Sequence, residues 1–531
     1  MDRTNMKFGI VLTMLLAVCL SGFAQMDVAW KKNFGGGYHD EFYSVAAVPD
    51  GYVMVGFVPL SSFGNDDTDG LTARGNWDAM IVKYSLDGSV VWKQNFGGSA
   101  NDLYNAVVAV PDGIVAVGYS EAGSFGNGDW AGFTAKGKWD AIIVKYNFDG
   151  SIAWKKNFGG SDNDEFKSVT VVADGIIAAG DVPRESFGNG DLAGLTSKGL
   201  LSDAILVKYN FDGSIAWIKN FSLGGGDSFE AVTTVSDGIV AVGSSFSANN
   251  LFDASIVKFN FDGSVAWNQL FVGRQSEFYY SVTATSDGIV AAGVVQPNPG
   301  EGLADLPDLP GKGSYDAIIV KYNFDGSMAW KKNFGGSDAD CFNSITAVSD
   351  GILAAGYSMV GSFGNGDWTG VTGKGGQDAI LVQYNFDGSM AWKKNFGGDD
   401  TDCFQSIITV SDGMVAAGYA IINGSGDWAG LKGNGYLDGV IVKFGSGTNH
   451  IADIAKTQNI VVYPNPTNNL LYVTNYNLHE DTVIEIYDIV GKKMRAEIRK
   501  AVEEITLDIS YLPSGIYFLR INDDIVKVVK K

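Results

Sequence analysis

Apolar positions along this chain come in short runs separated by turns, and the runs recur. Between 104 and 158 the order is "YNAVVAV", the turn "PDG", "IVAVGYS", a long polar loop, "DAIIVKYN", the turn "FDGS" and "IAWKKNF". Each run alternates apolar with polar or is apolar throughout. It is rich in Val, Ile and aromatic residues and bounded by turn signals, so it predicts a strand. The Asp-Gly pairs supply the positive φ that tight hairpin turns need. Segments with helical periodicity are absent, which makes the repeated region all-β.

Tryptophan marks the period. Trp30, Trp92, Trp154, Trp217, Trp267, Trp330 and Trp392 are spaced 62, 62, 63, 50, 63 and 62 residues apart. A fixed period of four strands predicts the blades of a propeller. Each of four strand types occurs seven times, yet the series opens on a Trp strand and closes on "GVIVKF" (439–444). A ring accounts for this offset if the strand at 28–34 completes the last blade, a closure that removes the exposed edges of an open array. The expected fold is a seven-bladed β-propeller over 25–446; an open solenoid is the alternative. The unit resembles the bacterial seven-bladed β-propeller repeat in "FGGSDNDEFKSVTVVADGIIAAG" (158–180) and "DAILVKYNFDGSIAW" (203–217). That resemblance implies a fold and carries no activity.

Composition narrows the partners. The 531 residues are 46% apolar, enough for real cores, and 38 Lys and Arg against 60 Asp and Glu give a net charge of −22. That charge repels phosphate backbones, so nucleic acid is excluded as a partner class. At the N-terminus Arg3 and Lys7 precede an apolar run ending in small residues at Ala24, which reads as a secretory signal peptide over 1–24. Beyond it no apolar stretch reaches the roughly 20 residues of a spanning helix. The two remaining cysteines, Cys341 and Cys403, stand at equivalent positions of neighbouring repeats and could bridge only if those copies approach closely.

The four-stranded meander sorts the loops by face. Tight "SDG" and "FDGS" turns lie on one face; the other collects the blade connections and the insertions "SFGNGDWAG" (124–132), "SFGNGDLAG" (186–194), "SFGNGDWTG" (362–370) and "GSGDWAG" (424–430). The fourth blade lacks the insertion and the fifth replaces it with "QPNPGEGLADLPDLPGKG" (296–313), so the scaffold does not require it. Loops dispensable to the scaffold are where binding is usually built. One reading makes Trp130, Trp368 and Trp428 platforms for a sugar or other flat extracellular ligand, with Asp129, Asp191, Asp367 and Asp427 as hydrogen-bond acceptors. The other folds each Trp back over its own blade, with each Asp capping a turn. Calcium is a possible cofactor at Asp66, Asp67 and Asp69 or at Asp399, Asp400 and Asp402, although neither stretch has the spacing of an EF-hand loop. The aspartate that opens every third strand (Asp78, Asp140, Asp203, Asp253, Asp316, Asp378, Asp438) is expected to bond backbone, and the seven fourth-strand tryptophans to be core.

Nothing points to catalysis. The chain has three histidines, His39, His450 and His479, and neither a G-x-S-x-G nor an H-E-x-x-H motif. "DGSIAW" is similar to the docking segment of quinoprotein dehydrogenase blades, without a quinone pocket. A non-enzymatic binding protein is expected; the alternatives are a structural or adhesive surface protein, a propeller hydrolase and a quinoprotein-like enzyme.

After a linker at 447–458 the composition shifts to alternating strands, as in "IVVYPNPTNNLLYV" (460–473) and "LDISYLPSGIYFLRI" (507–521), which predict a small Ig-like β-sandwich over 459–531. This region resembles the type A C-terminal sorting domain of the type IX secretion system. The matching positions are Tyr463, Pro464, Asn465 and Pro466; Tyr487, Asp488 and Gly491; Leu512, Gly515, Ile516 and Tyr517; and Lys530 and Lys531. The resemblance implies Sec export, passage across the outer membrane of a Gram-negative bacterium, removal of the domain by the system's sortase, and release or attachment to surface lipopolysaccharide.

Overall fold

The computed structural model describes residues 27–246, 251–273, 275–297 and 309–445. Of the C-terminal region it describes 461–463, 467, 469–474, 482–488, 493–499, 505–513, 515–521 and 524–530. The signal peptide and the linker lie outside the described residues, as do Pro464, Asn465, Pro466, Gly491 and Lys531. The chain divides into two compact units, 1–447 and 448–531.

The first unit contains seven four-stranded antiparallel sheets. Blades are numbered by their first strands: Glu41–Val48, Asp102–Val110, Glu165–Val172, Asp227–Val235, Glu277–Thr285, Asp340–Val348 and Asp402–Val410. Blade 7 is completed by the strand Asp27–Phe34, which pairs with Asp438–Gly445 so that Phe34 faces Gly439 and Val28 faces Phe444. The ring is therefore closed as the strand count requires, and no solenoid end is left open.

Second and third strands are mostly apolar, and buried along nearly their whole length, because both faces are covered by neighbouring blades. Ile114, Val115, Ala116 and Val117 are fully buried, and one core joins Val53 and Val55 of blade 1 to Tyr104, Ile114 and Ala116 of blade 2. Each such side chain contributes about 1.5–3 kcal/mol, so the hydrophobic stabilisation lies between blades and not within them.

Polar ties register one blade on the next. Hydroxyls of Ser44, Ser168, Ser281, Ser344 and Ser406 accept the backbone N–H of Val107, Val232, Ile345, Ile407 and Val45 on the adjacent first strand, at 3.0–3.3 Å. The fourth-strand tryptophans are half-buried docking groups, which corrects the expectation that they are core. Trp92 and Trp154 donate Nε1–H to the carbonyls of Phe148 and Phe211 in the next blade's turn, each at 3.1 Å. Glycine at that turn is required: at Gly88 φ is +81° and a Cβ would meet the Trp30 ring at 2.9 Å.

Of the aspartates that open the third strands, Asp78, Asp140, Asp203, Asp316, Asp378 and Asp438 bond backbone as expected. Asp140 accepts from Lys136 N–H and Gly137 N–H and from Asn157 Nδ2.

The second unit has a sheet of Val461–Tyr463, Leu470–Thr474 and Ile505–Asp508, and one of Thr482–Asp488, Lys493–Arg499, Gly515–Ile521 and Asp524–Lys530. Leu471, Val473 and Leu507 share a core with Ile484, Leu519 and Val528, which makes a small sandwich. Leu512 and Tyr517 of the sorting motif are buried in it, and Tyr517 donates its hydroxyl to the Pro513 carbonyl at 2.9 Å.

Candidate functional site

The insertions staple blades together. Trp130, Trp368 and Trp428 are each 0% exposed, which corrects the reading of them as ligand platforms. Trp130 stands edge-on to Phe96, packs against Phe125 and Phe133, and donates Nε1–H to Ser120 Oγ at 2.9 Å and Asp102 Oδ1 at 3.3 Å. Trp368 repeats this with Ser358 and Asp340, and Trp428 donates to Asp402. The physical reason is the buried first-strand carboxylate, which needs donors that water cannot supply.

The four acceptor aspartates are likewise spoken for. Asp129 pairs with Arg74, Asp191 with Lys136, Asp367 with Lys312 and Asp427 with Lys374, each cation coming from the preceding blade's insertion. Each carboxylate also accepts a connection N–H, from Gly97, Gly159, Gly335 or Gly397. At the ring closure Asp67 accepts from Asn434 Nδ2 at 2.6 Å in the same manner. Where the insertion meets the connection there is no spare volume: a Cβ on Gly98 would lie 1.9 Å from the Ser124 carbonyl oxygen.

The two acidic stretches do not converge as cation sites. Asp67 is turned to Gly35 and Asn434, Asp69 caps Gly70, Asp399 accepts from Asn423 and Ser425, Asp400 from Thr401, and Asp402 is buried against Trp428. Among the described residues no group of three or more His, Cys, Asp or Glu side chains is placed to hold a metal ion. Cys341 and Cys403 are buried free thiols, with the Asn343 amide between them at 3.3 Å from each sulfur.

Chemically diverse side chains meet instead at the centre of the ring. Every first strand carries a β-bulge at the same place, and the bulged residues are Tyr43, Asn105, Lys167, Glu230, Tyr280, Asn343 and Gln405. A bulge re-aims its side chain out of the pleat. These seven, with Glu165, line one cavity of about 480 Å³ at the loop-face end of the first strands. A second hollow of about 360 Å³ adjoins it through Tyr280 and Asn343 and adds Phe278, Tyr315, Cys341 and Tyr357.

The mouth has two unlike arcs. On blades 3 and 4 the Lys167 ammonium lies 2.7 Å from Glu230 and 3.2 Å from Asp181, and Asn105 donates to Glu165 at 2.8 Å. Burial raises the Glu165 carboxyl to about 7, while the surrounding carboxylates outweigh the burial of Lys167 and hold its ammonium firmly protonated. The other blades supply aromatics: Tyr43 packs toward Phe57, Phe57 toward Trp77, and Tyr119 stacks on Trp139 at 4.6 Å and 12°. Tyr315, which lines the second hollow, keeps 38% of its surface exposed.

The sequence held a signal for this site in the repeat itself. The first-strand acid, the aromatic two places on and the Val or Ile three places beyond that recur in every blade. The bulge position reads Tyr, Asn, Lys, Glu, Tyr, Asn, Gln, and the residue after the second-strand "AG" or "VG" reads Phe57, Tyr119, Asp181, Ser244, Val294, Tyr357, Tyr419. Divergence among near-copies at positions whose side chains face the channel is the signal the repeat offered.

Residues 461–531 match the family model of the secretion system C-terminal sorting domain, so the second unit is a sorting domain and the chain is a cargo of that machinery, secreted or displayed at the cell surface. No curated protein matches the chain in sequence. Among solved structures it is similar to the WD40 β-propeller domain of Doa1, at 10% identity and a TM-score of 0.40, covering 79% of this chain and 97% of that one. It is also similar to a putative 6-phosphogluconolactonase from Bacteroides uniformis, at 11% identity and a TM-score of 0.35, covering 70% and 93%. A subtype N10 neuraminidase-like protein from a little yellow-shouldered bat source follows at 8% and 0.33, covering 79% and 100%.

Proposed function

We propose that the mature protein is an extracellular binding protein whose ligand seats in the loop-face mouth of the central channel, and that it is delivered by the signal peptide and released from its sorting domain by the secretion system's sortase. The observation that carries this reading is the pattern of divergence. Seven blades keep nearly the same scaffold residues, yet they differ at the bulge and at the second-strand position beside it. A ring needed only for shape would have no use for Lys, Glu, Asn, Gln and Tyr at one structural position. An asymmetric ligand requires such differences, and a concave site with a few converging polar groups among aromatic walls is where ligands bind.

The test is a mixed array of extracellular glycans and peptides probed with residues 25–531 and with a Tyr43→Ala, Tyr280→Ala variant shown by circular dichroism to be folded. Binding by the parent and its loss in the variant are expected. Equal binding by both proteins would remove the channel mouth from the account.

A further inference from the structure

The chemistry of the mouth also indicates what kind of ligand it accepts. Its polar lining is mostly amides and phenols: Asn105 and Asn343 spend their N–H donors on Glu165, Phe166, Cys403 and Phe404, and Tyr43 bonds Glu41, while the Gln405 amide and the Tyr280 hydroxyl are groups that both donate and accept. Groups of this kind match hydroxyls, which do the same, better than they match a fixed charge. The one cation, Lys167, is already held by Asp181 and Glu230, with Ser228 Oγ 3.0 Å away as a further acceptor. With that ammonium held by two carboxylates, and Glu165, which burial raises to about 7, beside it, this arc has no spare positive charge for an anion.

Aromatic faces stand above that floor. Tyr315, which lines the adjoining hollow with Phe278, Tyr280 and Tyr357, is partly exposed, and the Tyr119–Trp139 stack shares an apolar cluster with Tyr43. Aromatic rings offer flat apolar surface to the C–H faces of a sugar while polar groups fix its orientation. The closed ring adds a constraint of shape. Among the described residues all seven blades contribute to one cavity, which favours a chain end over the middle of a long chain.

Resting on the proposal that the mouth binds a ligand, we infer that it takes the end of an oligosaccharide without acidic groups, with the chain's terminal rings among the bulge residues and its next ring against Tyr315.

The experiment is titration calorimetry of residues 25–531 with uncharged cello-, manno- and malto-oligosaccharides of two to six units and with oligogalacturonate of the same lengths. At least one neutral series should bind saturably, oligogalacturonate should not, and affinity should level off after two or three units. Asn343→Ala with Gln405→Ala should weaken binding about tenfold or more. Tyr315→Ala, a rim substitution that does not disturb the packed blades, should weaken the longer oligomers more than the dimer. Preference for oligogalacturonate, affinity that climbs steadily to six units, or indifference to both variants would overturn the inference. If no saccharide binds while a peptide on the mixed array does so in a manner lost with Tyr43→Ala, Tyr280→Ala, the saccharide inference falls and the binding site stands. If nothing binds in either experiment, both fall.

Discussion

Each blade buries a carboxylate at the start of its first strand or just before it, and the donors around it differ. Asp102 and Asp340 receive bonds from two serine hydroxyls and a tryptophan indole, and burial raises them only to about 6. Asp402 has the indole but faces Ala420 where the others face serine, and burial raises it to about 7. Asp40 and Asp164, beside Thr68 and Leu192 in place of Trp, are likewise raised by burial to about 7, and each leaves one oxygen without a partner.

The sign of the pH effect follows. An unfolded aspartate titrates near 3.9, so between about pH 4 and 7 folded Asp164 keeps a proton that the unfolded chain has released. Its contribution to stability is full below about pH 4 and is lost as pH rises through 7. Asp164→Asn cannot ionise. The melting temperature of the variant relative to the parent should therefore rise between pH 4 and 8, by the equivalent of about 2–4 kcal/mol. A difference that stays flat across that range would contradict the assignment.

The "GDW" tryptophans show why residue-level function was not legible in the sequence. An indole in an acidic, glycine-rich loop reads equally as a platform or as a plug. The fully buried Asp102, 28 residues earlier in the chain, decides between them, and its burial is a tertiary fact.

At the scale of elements, the insertions act as staples between neighbouring blades. The pair Lys136–Asp191 joins the insertions of blades 2 and 3 with a separation of 2.5 Å, both side chains about three-quarters shielded from solvent. Partial shielding puts such a pair at the upper end of surface ion pairs. A double-mutant cycle with Lys136→Met and Asp191→Asn should give a coupling of about 1 kcal/mol, read from denaturant midpoints. A coupling indistinguishable from zero would reduce the staple to its hydrogen bonds with Gly159. Lys198 of blade 3 has no such carboxylate ahead of it, because the short connection of blade 4, "SANN", carries none; its ammonium turns to the Asn220 carbonyl.

The strands themselves were legible almost residue for residue, including the closing strand at Asp27–Phe34, because period-2 patterning and Asp-Gly turns are local signals. The bulges were not, since a bulge is defined by the partner strand. The channel site depends on them, which is why the sequence directed attention to the outer loops.

For the whole molecule, closure and address are separate. The ring is held by seven blade-to-blade cores and is one compact unit; the sorting domain is another, with its own sandwich core. Near-identity of the blades gives a symmetric scaffold, and the bulge positions break that symmetry at the axis with charge on blades 3 and 4, tyrosine on blades 1 and 5 and amides on blades 2, 6 and 7. The claim on which the functional account rests is that ligand sits at this axis.

A crystal structure of the mature propeller with a ligand taken from the array tests it most directly. The account predicts ligand density between Lys167, Tyr280 and Asn343, with an aromatic rim residue against it. Density seated on the outer edges of the blades, or on the face of the tight "FDGS" turns, with the channel mouth empty, would contradict it.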